Sequence, residues 1–571
     1  MEFLVSNSNT GTQVQVTELD AGNGILYARV SLESEEAKPL SPFSISFALP
    51  SIDAHSVWSP KTLGMRNLGP EWNKKTTASC LASGMPLHGV LSAGGRNRLT
   101  VAVSDVKTPI TIGTGIREES ANIICKVTFF TQCTSAVKDY TATVRIDLRD
   151  IPFYDTIPQA VSWWEEEWGW KCEPAPDAAS LPVNSLWYSF HQNLHTQDIL
   201  RECRLSKPLG METVILDDGW QTDDNNRGYA YCGDWELATA KIPDMRYLAD
   251  EIHKLGMKLV LWYSVPYVGV HSKAFKRFEG KYLYFDARRG TASLDPRYAC
   301  VREYLAQQYE TAVRDWDLDG LKLDFISAFR LTEESLAPDP ARDLDSLEDA
   351  VERLLQDIFD RLRRIKPHIL IEFRQPYVGP AMRRYGNMLR AGDCPNDWLC
   401  NKNAILDLRL TSGKTPVHSD MLMWHPEEPA GNAALQIAAV LFSVPQISVL
   451  LEKISPDQKK MLAYYLGFWT RNRRLLLEGK LRLEGPQGFY TQASAQLEGQ
   501  AVTVLYTDRT VVKQADATTV VNCGPDRRIY FDGFEGAGYR VVDCMGTELE
   551  AGTLSALSAL TVPCAGMVLI S

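Results

Sequence analysis

The chain has 571 residues, 45% of them apolar and 23% charged, with a net charge of −11, a length that holds about three to four average domains of a soluble globular protein. The acidic balance excludes nucleic acid, whose binding needs a basic face, and no run approaches the ~20 apolar residues that a membrane span takes. Met1–Gln13 has neither a basic leader nor an apolar stretch and the twelve cysteines lack metal-ligand spacing, so the expectation is a cytoplasmic protein with reduced thiols and no secretory leader.

Residues 1–158 read as an N-terminal antiparallel β-sandwich. Strand patterns at Thr12–Leu19, Ile25–Leu32, Phe43–Ala48, Leu99–Val103, Ile123–Thr128 and Tyr140–Asp147 are punctuated by turn residues such as Asn23-Gly24 and Gly94-Gly95. Residues 159–182 read as a helical linker, with a helix over Ala160–Trp170 followed by the Pro- and Ala-rich stretch Cys172–Pro182. Across residues 183–477 strand and helix alternate. Strands are predicted at Ser185–Phe190, Thr213–Leu216, Lys258–Tyr263, Gly320–Phe325, Ile369–Phe373, Asn387–Arg390, Pro416–His418 and Gln446–Val449. Helices lie between them at Tyr247–Leu255, Ala299–Asp315, Leu347–Ile365 and Asn432–Ser443. That rhythm and length fit a (β/α)₈ TIM barrel, and no G-x-G-x-x-G turn supports an open doubly wound sheet. Residues 478–571 return to strand texture, at Leu481–Glu484, Gly488–Ala493, Ala501–Tyr506, Thr518–Val521, Tyr539–Val542 and Met567–Ile570, and read as a small C-terminal antiparallel β domain.

Barrels build their sites at the C-terminal ends of the strands. In this chain those ends read Asp217-Asp218-Gly219-Trp220, Trp262-Tyr263, Lys322-Leu323-Asp324-Phe325, Glu372-Phe373-Arg374-Gln375, Arg390-Ala391-Gly392-Asp393 and His418-Ser419-Asp420. So many charges in a barrel mouth are costly unless used or paired. Lys322 and Asp324 are two apart, so they share a face. A cation beside a carboxylate keeps it ionised, as a nucleophile requires; an internal ion pair holding the barrel is the competing reading. Asp217 and Asp218 suit sugar hydroxyls or a divalent metal. For a metal, His191, His418 and His425 are scattered, and the calcium-like run from Asp315 to Gly320 has Ile326 where a bidentate Glu belongs. No metal or cofactor is expected. The fourteen tryptophans lean towards a carbohydrate ligand, although core filling accounts for most of them.

These residues resemble the α-galactosidases of glycoside hydrolase family 36, and more distantly family 27. The likeness rests on the pair Asp217–Asp218, on Trp262, on Lys322-Leu323-Asp324 and on Arg390 shortly before a carboxylate, in order and each at its own strand end. The resemblance implies an exo-acting retaining α-galactosidase working by double displacement. It makes Asp324 the nucleophile, Lys322 a sugar ligand that holds Asp324 ionised, and Asp217 and Asp218 acceptors for the 4- and 6-hydroxyls. Trp262, with Trp187 as a second candidate, packs on the ring, Arg390 binds near the 2-hydroxyl, and the following carboxylate is the acid/base. The family separates that Arg from its acid/base by three residues; here two stand between Arg390 and Asp393, which leaves Asp397 as the alternative. At the fifth strand the family has Cys and Gly where this chain has Glu372, which resembles the sugar-binding Glu of family 27.

Other activities stay open at this stage: transfer to an acceptor sugar, as in raffinose-synthase-like relatives, or α-N-acetylgalactosaminidase activity, against which Glu372 and Arg390 crowd the C2 substituent. From other classes come a carbohydrate-binding protein that has lost catalysis and a metal-dependent barrel hydrolase. The expected partner is a small carbohydrate, with neither nucleic acid nor membrane; the oligomeric state is not fixed by the sequence.

Overall fold

The computed structural model describes residues 1–9, 11–60 and 66–571, the side chains of Asp20 and Ala21 excepted. In the N-terminal domain the alternating strands pair into two antiparallel sheets. One runs in the order Leu4–Ser6, Phe43–Pro50, Asn122–Phe129, Ile110–Arg117, Lys75–Ser79. The other runs Thr12–Gly22, Ile25–Lys38, Val137–Asp147, Asn97–Val103, Leu87–Leu91, Ser56–Trp58. Val30, Ile45, Val101, Ile112, Val127 and Val144 are buried in one cluster, which makes the expected sandwich. The following helix spans Phe153–Glu167 and so begins before the predicted Ala160. Its interior holds Pro158, a residue that ordinarily ends a helix, which is why the pattern reads as starting after it.

All eight expected barrel strands are present: β1 (Val183–Ser185), β2 (Thr213–Leu216), β3 (Lys258–Ser264), β4 (Gly320–Asp324), β5 (Leu370–Arg374), β6 (Met388–Arg390), β7 (Val417–His418) and β8 (Gln446–Ile447). They pair in parallel in the order β7-β6-β5-β4-β3-β2-β1-β8. Bridges His418–Val444 and Leu422–Ile447 nearly close the ring. β1 is shorter than predicted: Trp187–Phe190 is a helical turn, although its aromatic run favours a strand by propensity.

Alternation along each strand explains how the barrel becomes a site. Val183, Ile215, Val260, Leu370 and Met388 form one apolar interior layer. Gly320 lies in register with Val260 and Leu370, and a Cβ there would meet Leu370 O at 2.5 Å, so this position has to stay bare. Two residues further along the same strands, hence on the same face, stand Asp217, Trp262, Lys322, Glu372 and Arg390. The intervening residues, such as Leu216, Leu261, Leu323, Ile371 and Leu389, join the main core cluster.

One element was not anticipated. After β3 the chain forms a three-stranded antiparallel sheet, Tyr267–Gly269, Thr291–Leu294 and Tyr282–Asp286. The C-terminal β domain has a seven-stranded and a three-stranded sheet. It departs from the antiparallel expectation at two pairs: Gln500–Leu505 runs parallel to Ala517–Asn522, and Thr510–Val512 to Arg528–Asp532. The predicted strand at Gly488–Ala493 is displaced, the chain turning over Pro486–Gly488 before a strand at Gln492–Leu497.

The three domains meet at one buried corner. Asp407, on the helix Trp398–Thr411 that follows β6, accepts from Arg66 Nη2 at 2.7 Å, from the Trp58 indole at 3.0 Å and from the Tyr490 hydroxyl. The Arg66 guanidinium lies 4.7 Å from the Tyr490 ring centroid. Lys402, on the same helix, donates to the carbonyls of Phe489 and Tyr490. Among the described residues no helix is long and apolar enough to cross a membrane.

Candidate active site

Asp324 ends β4 and is 6% exposed. Its Oδ2 accepts from the Trp262 indole at 3.1 Å. Its Oδ1 accepts from the Phe325 backbone N–H at 2.8 Å and from the Tyr377 hydroxyl, and pairs with Arg374 Nε at 2.9 Å. Phe325 has φ 63°, a left-handed conformation uncommon for a bulky side chain. Burial pushes the Asp324 carboxyl up, but Arg374, Lys322 and the donors from Tyr377 and Trp262 outweigh it and hold the group below the usual carboxylate range. Lys322 contributes through its field only: its short ion pair, 2.6 Å, is with Asp217. The cation in direct contact with Asp324 is Arg374.

Asp217 and Asp218 leave β2 side by side, 3% and 2% exposed. The Asp217 Oδ1 caps its neighbour's backbone N–H at 2.9 Å. Asp218 accepts from Gln192 Nε2 at 2.7 Å and Gln221 Nε2 at 2.6 Å. Burial, with Asp217 adding to it, raises Asp218 to about 6 against those two amide donors. Gly219 follows at φ 115°, and a Cβ there would lie 2.4 Å from Gln192 Cα. Glycine is therefore what lets the β1 and β2 loops touch, and Lys241 Nζ braces them through the carbonyls of Gln192 and Thr222 at 2.8 and 2.6 Å.

Arg390, 1% exposed, is the hub of three carboxylates. Nη1 donates to Asp420, Nη2 to Asp393 at 2.9 Å, and Nε lies 3.4 Å from Glu372 Oε1. Asp420 also accepts from the Tyr188 hydroxyl at 3.0 Å and the Cys394 N–H at 2.7 Å. Glu372 has no exposed surface; its other oxygen accepts from Gln446, and burial raises its pKa. Asp393 is different, with its side chain 49% exposed. Burial of its surroundings would raise it, but Arg390, Arg374 and Lys322 prevail and hold it far below the usual range. Asp397 caps the helix Trp398–Thr411, accepting from the Cys400 N–H at 2.9 Å.

Aromatic rings wall the Asp324 side. Tyr229 and Tyr267 lie 5.0 and 5.2 Å from the Phe325 ring, and Trp262 lies 6.4 Å from Tyr229. Trp187 is half-buried, edge-on to His191 at 4.8 Å. Of the scattered histidines, His418 is fully buried between Ala179 O and Gln446. Among the described residues, Asp250, His253 and Asp317 bring possible ligand atoms within 4.8 Å of one another. They lie before β3 and β4, at the far end of the barrel, where Arg246 and Lys366 already pair with Asp250 and Asp317 at 2.9 and 2.8 Å.

The structure thus brings Asp217, Asp218, Trp262, Lys322, Asp324, Glu372, Arg390 and Asp393 to one end of the barrel. Arg374 and Asp420 stand at strand ends in the sequence without a role assigned to them; inward parity, two residues after Glu372 and His418, was the available signal. Tyr188 comes from the helical turn Trp187–Phe190, and Gln192, Gln221 and Tyr377 come from loops, where no periodicity marks them.

Residues 181–375 match the Melibiase family. The α-galactosidase AgaA of Geobacillus stearothermophilus is 23% identical over 313 residues, 51% of this chain and 41% of that protein. The α-galactosidase Mel36A of Lactobacillus acidophilus is 26% identical over 178 residues, 29% of this chain and 23% of that one. The matches thus span less than half the length of these curated relatives. Among solved structures, the α-galactosidase of Lactobacillus brevis superposes with a TM-score of 0.66 at 14% identity, covering 100% of this chain and 85% of that one. An AgaA variant solved with stachyose gives 0.65 at 15% identity, covering 98% and 81%. The barrel sequence is thus similar to the Melibiase family over residues 181–375, and the chain has the fold of the solved α-galactosidases.

Proposed function

We propose that the chain is an exo-acting retaining α-galactosidase that releases terminal α-linked galactose. The observation that carries this reading is Asp324: a buried carboxylate held ionised at a barrel mouth, beside a pair of carboxylates suited to hydroxyls. In the first step Asp324 attacks the anomeric carbon while Asp393 protonates the departing oxygen, leaving a β-linked glycosyl ester. Water then gives its proton to Asp393 and attacks the same carbon, freeing galactose and Asp324. Asp217 and Asp218 accept the 4- and 6-hydroxyls, with Lys322 donating alongside. Trp262 and Trp187 flank the ring. Glu372, without exposed surface, serves as a positioning residue for Arg390.

Asp393 has to carry a proton for the first step, yet Arg390, Arg374 and Lys322 draw its carboxyl far below the usual range. Its half-exposed side chain is the one member of the Arg390 hub free to swing. A 2-hydroxyl seated on Arg390 Nη2 displaces that contact and returns the carboxyl towards its ordinary range. The ligands of related proteins support the substrate class: AgaA variants were solved with stachyose and raffinose, and an α-galactosidase from Thermus thermophilus with p-nitrophenyl α-D-galactopyranoside.

A panel of aryl α- and β-glycosides tests the reading. The α-galactoside is cleaved and its β-anomer and the glucosides are not. Asp324→Ala loses on the order of 10⁴-fold in kcat, as removal of a covalent nucleophile does, and azide restores part of it as β-galactosyl azide. Near-normal turnover in that variant overturns the nucleophile, and absence of α-galactoside cleavage overturns the function.

A further inference from the structure

We infer that Arg374 and Tyr377 are positioning residues for the nucleophile: they occupy one oxygen of Asp324, so that the other alone attacks the sugar. This rests on the reading of Asp324 given above. Arg374 Nε at 2.9 Å, the Phe325 N–H at 2.8 Å and the Tyr377 hydroxyl all converge on Oδ1. Oδ2 receives the Trp262 indole at 3.1 Å. An ionised carboxylate offers about four lone-pair sites over its two oxygens, so the two donors, Phe325 N–H and Tyr377 hydroxyl, fill Oδ1 and the Arg374 cation lies against it, whereas one donor leaves Oδ2 a free pair.

The clamp is itself braced. Arg374 Nη1 donates to Gln375 O at 3.0 Å, and its guanidinium lies 5.4 Å from the Phe325 ring centroid and 5.5 Å from that of Tyr377. Tyr377 is 1% exposed and rests edge-on against Phe373, 6.0 Å between centroids. Burial first, and Asp324 after it, raise the phenol well above its usual pKa, so it stays a proton donor to the carboxylate. When Oδ2 bonds to the anomeric carbon, Oδ1 becomes the ester carbonyl oxygen. When water breaks that bond, the electron pair returns to the carboxylate, and Arg374 and Tyr377 stabilise it as the leaving group.

The experiment uses 5-fluoro-α-galactosyl fluoride, whose fluoride departs without an acid, so that Asp393 drops out of the rate. The first-order labelling of Asp324 at saturating reagent is followed by mass spectrometry, and galactose affinity by competition. Arg374→Met and Tyr377→Phe each slow labelling about 10- to 100-fold, the worth of a hydrogen bond to a charged group, with galactose affinity held. Arg374→Lys recovers part of the rate. The ratio of the Arg374→Met rate to the parent rate falls further as the pH is lowered, because Asp324 without its cation takes up a proton; the titration of Asp218, common to both proteins, cancels. Tyr377→Phe removes a single oxygen and keeps the test open if Arg374→Met fails to fold. Labelling of both variants at the parent rate overturns the clamp alone, as does a loss of galactose affinity equal to the loss of labelling. A parent that is active but unlabelled at Asp324 overturns the nucleophile reading and the clamp with it.

Discussion

Asp218 has a folded-state pKa raised to about 6 by burial. A carboxylate raised in this way contributes its stability below the unfolded pKa, and that contribution is lost as pH rises through about 6. The proposed role pulls the other way, since the ionised carboxylate is the stronger acceptor for sugar hydroxyls. The kcat/KM for an α-galactoside should therefore fall as pH drops through about 6, and Asp218→Asn should remove that limb while weakening galactoside over glucoside preference. In the same variant the melting temperature should gain on the parent above pH 6. A pH profile unchanged by the substitution would sink the role of Asp218. At this scale the sequence was legible wherever a strand imposed parity. Asp217, Lys322, Asp324, Glu372 and Arg390 all follow from alternation along β2, β4, β5 and β6. The contacts of Gln192, Gln221 and Tyr377 depend on how loops fold back, which no spacing encodes. Glu372 shows the limit of parity: it points inward as read, yet lies too deep to have exposed surface.

The element that separates the two candidates for the proposed acid/base is the helix Trp398–Thr411. Asp397 is its N-cap, whereas Asp393 lies in the preceding turn on Arg390 Nη2. Asp393→Ala should therefore be leaving-group dependent, severe on melibiose and mild on a dinitrophenyl galactoside, with azide speeding turnover and yielding the α-galactosyl azide. Asp397→Ala should cost roughly 0.5–2 kcal/mol of stability, as a lost cap does, with no such dependence. Leaving-group dependence at Asp397 instead would transfer the acid role to it. Long periodic elements were legible: Leu347–Ile365 agrees with the prediction end for end. The sheet inserted after β3 was not, because its strands are short and sit where a barrel loop belongs. Nor were the two parallel pairs of the C-terminal domain, since alternation is the same whichever way the neighbouring strand runs.

At the scale of the whole molecule, all three domains contribute to the corner where Asp407 meets Arg66, Trp58 and Tyr490. Both members of the ion pair are buried, at 6% and 0% side-chain exposure. Asp407→Ala leaves Arg66 charged and without its carboxylate partner, and should cost about 3–5 kcal/mol, read as a lower urea midpoint at unchanged m-value. A loss below about 1 kcal/mol, the range of exposed pairs, would mean the corner is not what joins the domains. The order sandwich, barrel, β domain is visible in the strand texture of the sequence, but this corner is not, because Arg66 and Tyr490 stand 341 and 83 positions from Asp407. It also changes what counts as a module. The helix whose start follows the turn carrying Asp393 holds in its last turns the carboxylate on which both flanking domains converge. A chimaera that exchanged residues 478–571 for another β domain would have to bring its own phenol and its own pair of carbonyls to that corner. In any inheritance by shuffled segments, the first and last domains of this chain have to travel together.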